Sequence, residues 1–112
     1  MIMLRTKEQK RVLCKTCPYA KAANLLGDSV ILLIVRELLV SEKCFSDLEK
    51  ALSGISTRTI SDKLKYLEQE SVVIKTEIQG KPNRVYYSLS EKGKALRPLS
   101  RALIGFGEKW LG

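Results

Sequence analysis

The pattern of apolar and polar positions divides this chain into helical segments and one pair of strands. Residues 30–40 (VILLIVRELLV) are apolar almost all round, which predicts a helix buried at the centre of a domain. A strand is the alternative for VILLIV alone, but the Arg-Glu-Leu-Leu that follows favours a helix. A shorter helix is predicted at about 18–26, with Gly27 as its C-terminal stop. Asp28 or Ser29 is then expected to cap the central helix.

A helix-turn-helix is predicted at about residues 46–70. Ser46 and Glu49 fit a capping box, in which a hydroxyl and a carboxylate serve the first backbone N–H groups of a short helix. The small residues SGIS form a tight turn, and Ser56 then caps a longer helix at about 57–70. Two helices joined by a short turn with a glycine are the helix-turn-helix pattern.

A β-hairpin is predicted directly after this motif, at about 72–89. The segments VVIKTEIQG and RVYYSLS are rich in β-branched or alternating residues, and the turn 80–83 (GKPN) joins them. The predicted fold class is therefore mainly α with a small β-hairpin wing (α+β), a winged helix-turn-helix. Ser90 is predicted to cap a last helix at about 91–110, and Pro98 should kink that helix near its first turns.

The chain of 112 residues is predicted to form one domain with an arm and a tail. Residues 1–16 are basic and weakly periodic, which indicates an N-terminal arm. Residues 17–90 form the predicted winged helix-turn-helix core, and residues 91–112 form a C-terminal dimerisation helix. The helix near the N-terminus is expected to share in dimerisation.

The net charge of +8 and the pI of about 9.6 suit an anionic partner, double-stranded DNA first and an anionic membrane surface second. The charge is uneven. Residues 56–112 carry eleven Lys or Arg against six acidic residues, whereas residues 28–55 carry three against five. The middle of the sequence is thus expected to be core, and the two ends are expected to be contact surfaces.

The second helix of the motif has an apolar stripe and a polar face. Ile60, Leu64 and Leu67 recur at helical spacing and should pack on the central helix. In helix-turn-helix proteins, the start of the second helix meets base edges in the major groove. The predicted DNA-contacting residues of this recognition helix are Ser56, Thr57, Arg58, Thr59, Ser61, Asp62 and Lys65.

Four of these side chains have an expected partner on DNA. Arg58 can pair bidentately with guanine, and Thr59 can contact a thymine methyl group. Ser56 at the helix N-terminus suits a phosphate. Asp62 can accept a hydrogen bond from cytosine or orient Arg58 one turn away. The alternative is an ordinary amphipathic helix with a solvated face, but the turn, the wing and the charge together favour DNA binding.

The predicted wing carries Lys81, Asn83 and Arg84 at its turn. Lys81 or Arg84 is predicted to enter the minor groove or to contact phosphate. The alternative is an exposed hairpin turn, which is usually polar in any protein.

Five segments resemble the HxlR family of winged-helix transcription regulators, which are relatives of the MarR type. They are CPYAKAANLLG, LLIVRELL, CFSDLEKALSGIS, LKYLEQESVV and RVYYSLSEKGKAL, and the resemblance covers about residues 17–110. It implies a homodimer that binds operator DNA and represses or activates transcription. It also implies that Cys17 matches the family's N-terminal cysteine, which senses oxidants or electrophiles in several members. The chain departs from the family at 27–30 (GDSV), where Gly-Gly-Lys-Trp is common, and at Ser53, where Pro is common.

The cysteines also have a physical interpretation. Cys17 precedes a proline at a helix N-terminus, near Lys15 and Lys21, and both features favour the thiolate. The alternative is a buried, unreactive thiol. A zinc site needs four ligands, but the chain has no His and only Cys44 besides Cys14 and Cys17, so no metal or other cofactor is expected. A Cys14–Cys17 disulfide and a Cys17–Cys44 bridge between subunits both stay open.

The last helix carries a heptad seam, which consists of Leu96, Leu99, Leu103, Phe106 and Trp110. Such a seam can pack on its own domain or against a second copy. A subunit interface is favoured because the other helices already supply the core of the domain. Two copies would place their recognition helices about one DNA turn apart, which predicts a palindromic operator.

The sequence thus predicts a dimeric, sequence-specific transcription regulator. The alternatives are an architectural DNA-binding protein of low specificity and a winged helix that binds only proteins. An enzyme is least supported, because the sequence has no His, no glycine-rich phosphate loop and no nucleophile elbow. No signal peptide is visible, and the longest apolar run, 30–35, is far too short to span a membrane, so a cytoplasmic location is expected.

Overall fold

The computed structural model describes residues 17–78 and 84–112. Its elements are α1 (Pro18–Leu26), α2 (Ser29–Val40), β1 (Lys43–Cys44), α3 (Phe45–Ala51), α4 (Thr57–Gln69), β2 (Val73–Glu77), β3 (Val85–Leu89), α5 (Glu91–Lys94), α6 (Arg97–Phe106) and a π-helical segment (Gly107–Leu111). The predicted fold class, mainly helical with a small antiparallel hairpin, is confirmed. The predicted basic arm 1–16 and the predicted turn 80–83 lie outside the described residues, as does residue 79.

Helix α2 lies in the core because apolar side chains occur on every turn of it. Its buried residues are Ile31, Ile34, Val35 and Leu38. The predicted apolar stripe of α4 is also buried, and its members Ile60, Leu64 and Leu67 are each 0% exposed. The rest of the core comes from Leu26, Leu48, Leu52, Val72, Val73 and Leu89. Helix α4 packs against α2, so the opposite face of α4 is turned away from the core.

Asp28, and not Ser29, caps the central helix. Its Oδ1 atom accepts hydrogen bonds from the backbone N–H groups of Val30 at 2.9 Å and Ile31 at 3.2 Å. Its Oδ2 atom lies 2.7 Å from Nζ of Lys63 on α4. One carboxylate therefore fixes the start of α2 and ties it to the motif helix that packs on it.

These contacts alter the ionisation of Asp28. Burial disfavours the carboxylate, but the hydrogen bond from Lys63, with those from Ile31 and Val30, outweighs burial and holds the pKa of Asp28 below its ordinary value. The charged form is therefore the one that the fold stabilises.

The predicted capping box at Ser46 and Glu49 is wrong. Helix α3 begins earlier, at Phe45, and Asp47 Oδ2 accepts hydrogen bonds from the backbone N–H of Cys44 at 3.3 Å and from its thiol at 3.1 Å. The reason is the strand β1, which the sequence pattern did not reveal. Because β1 ends at Cys44, the chain passes directly from strand to helix, and Ser46 already lies in the first turn.

The wing belongs to a three-stranded antiparallel sheet in the described part of the chain, with the order β1-β3-β2. Val73 pairs with Leu89 at the base, and Glu77 pairs with Val85 towards the tip. The backbone N–H of Ile78 donates to the carbonyl of Arg84 at 3.0 Å, which extends the pairing by one step. Both strands fall within the predicted range 72–89.

The last helix, predicted at about 91–110 with a kink at Pro98, is divided into separate helices in the structure. Helix α5 ends at Lys94, and α6 begins at Arg97 with Pro98 in its first turn. A proline ring clashes with the carbonyl four residues earlier, which here belongs to Lys94, so the helix cannot continue through this point. The expected kink is thus a full break. The predicted cap of α5 is confirmed, since Ser90 Oγ accepts from the backbone N–H of Gly93 at 3.1 Å.

Gly93 allows α5 to pack closely on the sheet. A Cβ atom at this position would lie 2.5 Å from the carbonyl oxygen of Val72 and 2.9 Å from a methyl carbon of Leu89. Only a residue without a side chain fits this contact.

None of the helices in the ranges 17–78 and 84–112 is long and apolar enough to cross a membrane.

Replacement of Asp28 tests the tie between α2 and α4. Asp28→Ala removes the cap and the ion pair, so the free energy of unfolding should fall by about 1–2 kcal/mol. Asp28→Asn keeps the cap and loses only the charge, so it should cost less than half as much. Urea denaturation at pH 7 measures both, and an Asp28→Ala protein as stable as the parent would contradict the tie.

The pH dependence gives a second measurement. Because the pKa of Asp28 is lowered by folding, its contribution is complete above the ordinary pKa of about 4 and is lost as the pH falls through the lower value. Between pH 5 and the acid limit of folding, the free energy of unfolding should therefore fall less for Asp28→Asn than for the parent. The proteins are compared at equal salt. Asp28→Ala also lacks the carboxylate and provides the control: it should show the same reduced loss of stability on acidification.

Candidate nucleic-acid interface

The N-terminus of α4, the predicted recognition helix, is exposed, and Ser56 caps it. Ser56 Oγ accepts from the backbone N–H of Thr59 at 3.1 Å and donates to the hydroxyl oxygen of Thr59 at 2.8 Å. Ser56 is exposed and Thr59 is half-buried. The cap therefore holds both hydroxyls in fixed positions at the end of the helix that carries a partial positive charge.

Arg58 is almost fully accessible at this end, with 93% of its side chain exposed. Its Nε atom lies 4.0 Å from Oδ2 of Asp62, which is 63% exposed. An exposed pair at this distance contributes little free energy, so Arg58 can leave Asp62 at small cost. The pair thus orients the guanidinium without immobilising it.

Thr57 is held by the first helix of the motif. Its hydroxyl donates to Oε2 of Glu49 at 2.9 Å, across the turn between α3 and α4. Glu49 thus fixes the angle between the two helices instead of capping α3. Thr57 is one of the predicted DNA contacts, but its hydroxyl already has a partner inside the protein.

The other two predicted residues differ in accessibility. Lys65 is exposed, and Ser61 is half-buried. Lys63, which was not predicted to have a role, is turned to the flank of α4 and contacts Asp28. The face of α4 that is open to a large ligand is therefore the one that carries Arg58, Asp62 and Lys65.

The end of α4 is held by the C-terminal part of the chain. Lys92 Nζ donates to the carbonyl of Glu70 at 2.7 Å, and Ser90 Oγ donates to the carbonyl of Ser71 at 2.6 Å. Ser71 has a φ of 61°, so the chain reverses sharply there before entering β2. These contacts have no local signal in the sequence, because Lys92 and Glu70 are 22 residues apart.

The wing residues are described only in part. Arg84 is exposed at the start of the pairing between β3 and β2. Lys81 and Asn83 lie outside the described residues.

Cys17 lies at the N-terminus of α1, as expected, and is half-buried. Its carbonyl accepts from the backbone N–H of Lys21 at 3.1 Å. Cys44 is also a free, half-buried thiol, and its Sγ atom lies 3.1 Å from Ser46 Oγ. Cys14 lies outside the described residues. Across 17–78 and 84–112, no group of three His, Cys, Asp or Glu side chains could hold a metal ion.

The heptad seam of the last helix divides into two parts. Leu96 is half-buried, and it lines a shallow apolar groove with Leu99, Leu103 and residues of α1 and α2. Phe106 and Trp110 lie beyond this groove and are 58% and 66% exposed. Leu99 and Leu103 line the groove but are still 40% and 46% exposed, so only Leu96 packs against the core of its own domain, and the rest of the seam is exposed.

The comparisons with known proteins agree with this architecture. The HxlR-like helix-turn-helix family matches residues 25–112. An uncharacterized HTH-type transcriptional regulator of Bacillus subtilis, YvaP, is 40% identical over 96 residues, which are 85% of this chain and 89% of YvaP.

Solved structures show the same fold. A protein of Porphyromonas gingivalis W83 described as a MarR-family transcriptional regulator has a TM-score of 0.81 at 27% identity, over 86% of this chain and 94% of that one. The reduced form of the transcriptional regulator YodB of B. subtilis has a TM-score of 0.73 at 29% identity, over 85% and 94%. The quinone-bound form of YodB gives 0.71 at 28%, over 85% and 100%. With the family match spanning the recognition helix and wing strands described above, this chain belongs to the HxlR family of DNA-binding, winged helix-turn-helix transcriptional regulators.

Proposed function

We propose that this protein is a sequence-specific regulator that binds a palindromic operator as a homodimer and responds to oxidants or electrophiles through Cys17. The observation that carries the proposal is the start of α4, where Arg58 is 93% exposed beside an orienting carboxylate. Arginine in this position can donate two parallel hydrogen bonds to guanine in the major groove. Such a regulator acts where the chromosome lies, in the cytoplasm.

The exposed face of α4 favours sequence-specific binding over architectural binding. An architectural protein needs cations that neutralise phosphates, whereas this face combines Arg58 with the acceptor Asp62 and with Thr59. Ser56 and Lys65 are the proposed phosphate contacts of the same helix, and Ser61 lies at its edge. Arg84 extends the contact to the wing, with Lys81 and Asn83 as further candidates. A winged helix that binds only proteins would not account for the excess of basic residues in 56–112.

A second copy of the chain is the proposed cover for the exposed end of the seam. Phe106, Trp110 and Leu111 are large apolar side chains with more than half of their surface in water. Their burial against a symmetric partner would remove this surface from water. Two motifs related by a two-fold axis then read half-sites whose centres lie one DNA turn, about 34 Å, apart.

The proposed sensing rests on the place of Cys17 and on the YodB structures. Cys17 lies at the N-terminus of α1, and its thiol is free and half-buried. YodB, which is similar over 85% of this chain, has been solved in a reduced and a quinone-bound form. Helix α1 joins Cys17 to Leu26, which lines the groove beside α6. Modification of Cys17 would therefore disturb the helices proposed to form the dimer.

Selection of genomic fragments by the reduced protein tests the function as a whole. We expect sequencing of the recovered fragments to reveal one palindromic site whose half-sites are about ten base pairs apart. Uniform recovery of fragments would support architectural binding instead. Recovery of none would support a winged helix that binds only proteins.

Arg58→Ala tests base reading on the selected operator. If Arg58 pairs with guanine, the variant should lose about 1–3 kcal/mol of binding free energy per half-site and tolerate other bases at one position. Fluorescence anisotropy with the operator and with single-base variants measures both effects. Equal loss on operator and random DNA would contradict base reading by Arg58. Arg36→Ala is the matched control, because it removes an arginine of α2 that pairs with its neighbour Glu37 and lies outside α4.

Sedimentation equilibrium tests the dimer. The parent should be dimeric at micromolar protein, and the double variant Phe106→Ala, Trp110→Ala should be mainly monomeric while its circular dichroism is retained. Ile74→Ala, which removes an exposed apolar side chain from β2, is the control and should stay dimeric. A monomeric parent would refute the homodimer.

Cys17→Ser tests the sensor. The variant should bind operator as the reduced parent does and keep that affinity after treatment with peroxide or quinone. Loss of DNA binding by Cys17→Ser on oxidation would exclude Cys17 as the sensor. Non-reducing electrophoresis of the oxidised parent and of Cys44→Ser then separates the two open bridges, since only a Cys17–Cys44 bridge between subunits needs Cys44.

A further inference from the structure

A cleft of about 730 Å³ lies between the wing and the helix-turn-helix. One wall comes from the start of α3 and the other from the strands of the wing. The lining residues used below are Ser46, Glu49, Lys75, Arg84, Tyr86 and Tyr87.

The cleft is continuous with the start of the recognition helix. Glu49 lines the cleft, and its Oε2 atom accepts the hydrogen bond from Thr57, the first residue of α4. A molecule that fills the cleft would therefore border on the residues that follow Thr57, including Arg58. Since the hydroxyl of Thr57 already occupies one carboxylate oxygen, the negative charge of Glu49 is partly satisfied inside the protein.

Lys75 faces this cleft because of the strand register. It pairs directly with Tyr87 on β3, and opposite residues of an antiparallel pair share one face of the sheet. Tyr87 packs against the core, so this face is the one turned towards the helices. Burial raises the pKa of Tyr87, and the charge of Lys75 acts in the opposite direction, which agrees with their proximity. Lys75 itself is exposed.

Duplex geometry identifies the occupant. If α4 enters the major groove and the wing approaches the adjacent minor groove, the DNA strand that separates the two grooves must cross the surface between α4 and the wing. The cleft adjoins that surface, because Glu49 in its helical wall accepts the hydrogen bond from Thr57 at the start of α4, and Lys75 and Arg84 give the cleft cations on the wing side.

We propose that the cleft holds the sugar-phosphate backbone of this strand and that the ammonium group of Lys75 contacts a phosphate there. The inference rests on the proposed function and adds to it a contact outside the recognition helix and the wing turn. Lys75 would contribute affinity without sequence preference, whereas Arg58 supplies preference.

The test compares Lys75→Ala with Lys94→Ala. Lys94 is an exposed lysine on α5, which follows the end of β3 that is farther from the wing tip. Affinities are measured for the selected operator and for a random duplex of equal length, between about 50 and 200 mM salt. Lys75→Ala loses one phosphate contact per subunit, so the negative slope of log K against log salt should become shallower by about 0.9 for each subunit, or about 1.8 for a dimer. Lys94→Ala should keep the parent's slope.

Phosphate ethylation interference locates the contact. With the parent, ethylation of one phosphate beside each half-site should block binding, and Lys75→Ala should lose sensitivity at that phosphate alone. Lys75→Arg should restore it. An unchanged salt slope and an unchanged interference pattern in Lys75→Ala would overturn the proposal, whether the cleft is empty or holds a small molecule. This failure is distinct from that of the proposed function, which the binding of the parent to operator and random DNA decides.

Discussion

The complete burial of Ile60, Leu64 and Leu67 against α2 is the constraint on which the interface depends. A helix that buries one stripe has only one rotational setting about its axis, because a turn of 100° would expose these side chains and bury polar ones. The side chains of Arg58, Asp62 and Lys65 are therefore exposed by the same packing that stabilises the domain. Any substitution that weakens this stripe should affect folding and DNA reading together.

Polar contacts fix what the stripe leaves free, which is the tilt and the axial position of α4. Asp28 contacts Lys63 on its flank, Glu49 contacts Thr57 at its start, and Lys92 contacts the carbonyl of Glu70 just after its end. Each contact is partly exposed and contributes modestly to stability. Their value lies in geometry, since base reading requires side chains to be placed to within a fraction of an ångström.

Local signals in the sequence predicted much of this architecture. The helix breaks at Gly27 and at the SGIS turn, the caps at Ser56 and Ser90, and the buried stripe all depend on residues within one or two turns of each other. The start of α3 was mispredicted because Ser46 and Glu49 match a capping box locally, whereas the pairing of β1 with β3, which is distant in sequence, decides where the helix begins. Two residues are too few to show a strand period.

The candidate site was predicted less completely than the fold. The exposed positions of α4 follow from its period, but the partners of Thr57, Lys63 and Glu70 do not, since each lies on another element. The hydrogen bond from Arg97 to the carbonyl of Leu39 spans 58 residues and has no local signature at all. Such contacts follow from packing, which a single sequence read along its length does not specify.

The break between α5 and α6 has a consequence for the spacing of the half-sites. The residues before the break, Ser90, Lys92 and Gly93, contact the end of α4 and the base of the wing. The residues after the break carry most of the seam. In the proposed dimer, the direction in which α6 leaves the domain would set the distance between the two copies of α4. The spacing of the half-sites would then depend on the last residues of the chain, and their base sequence on α4.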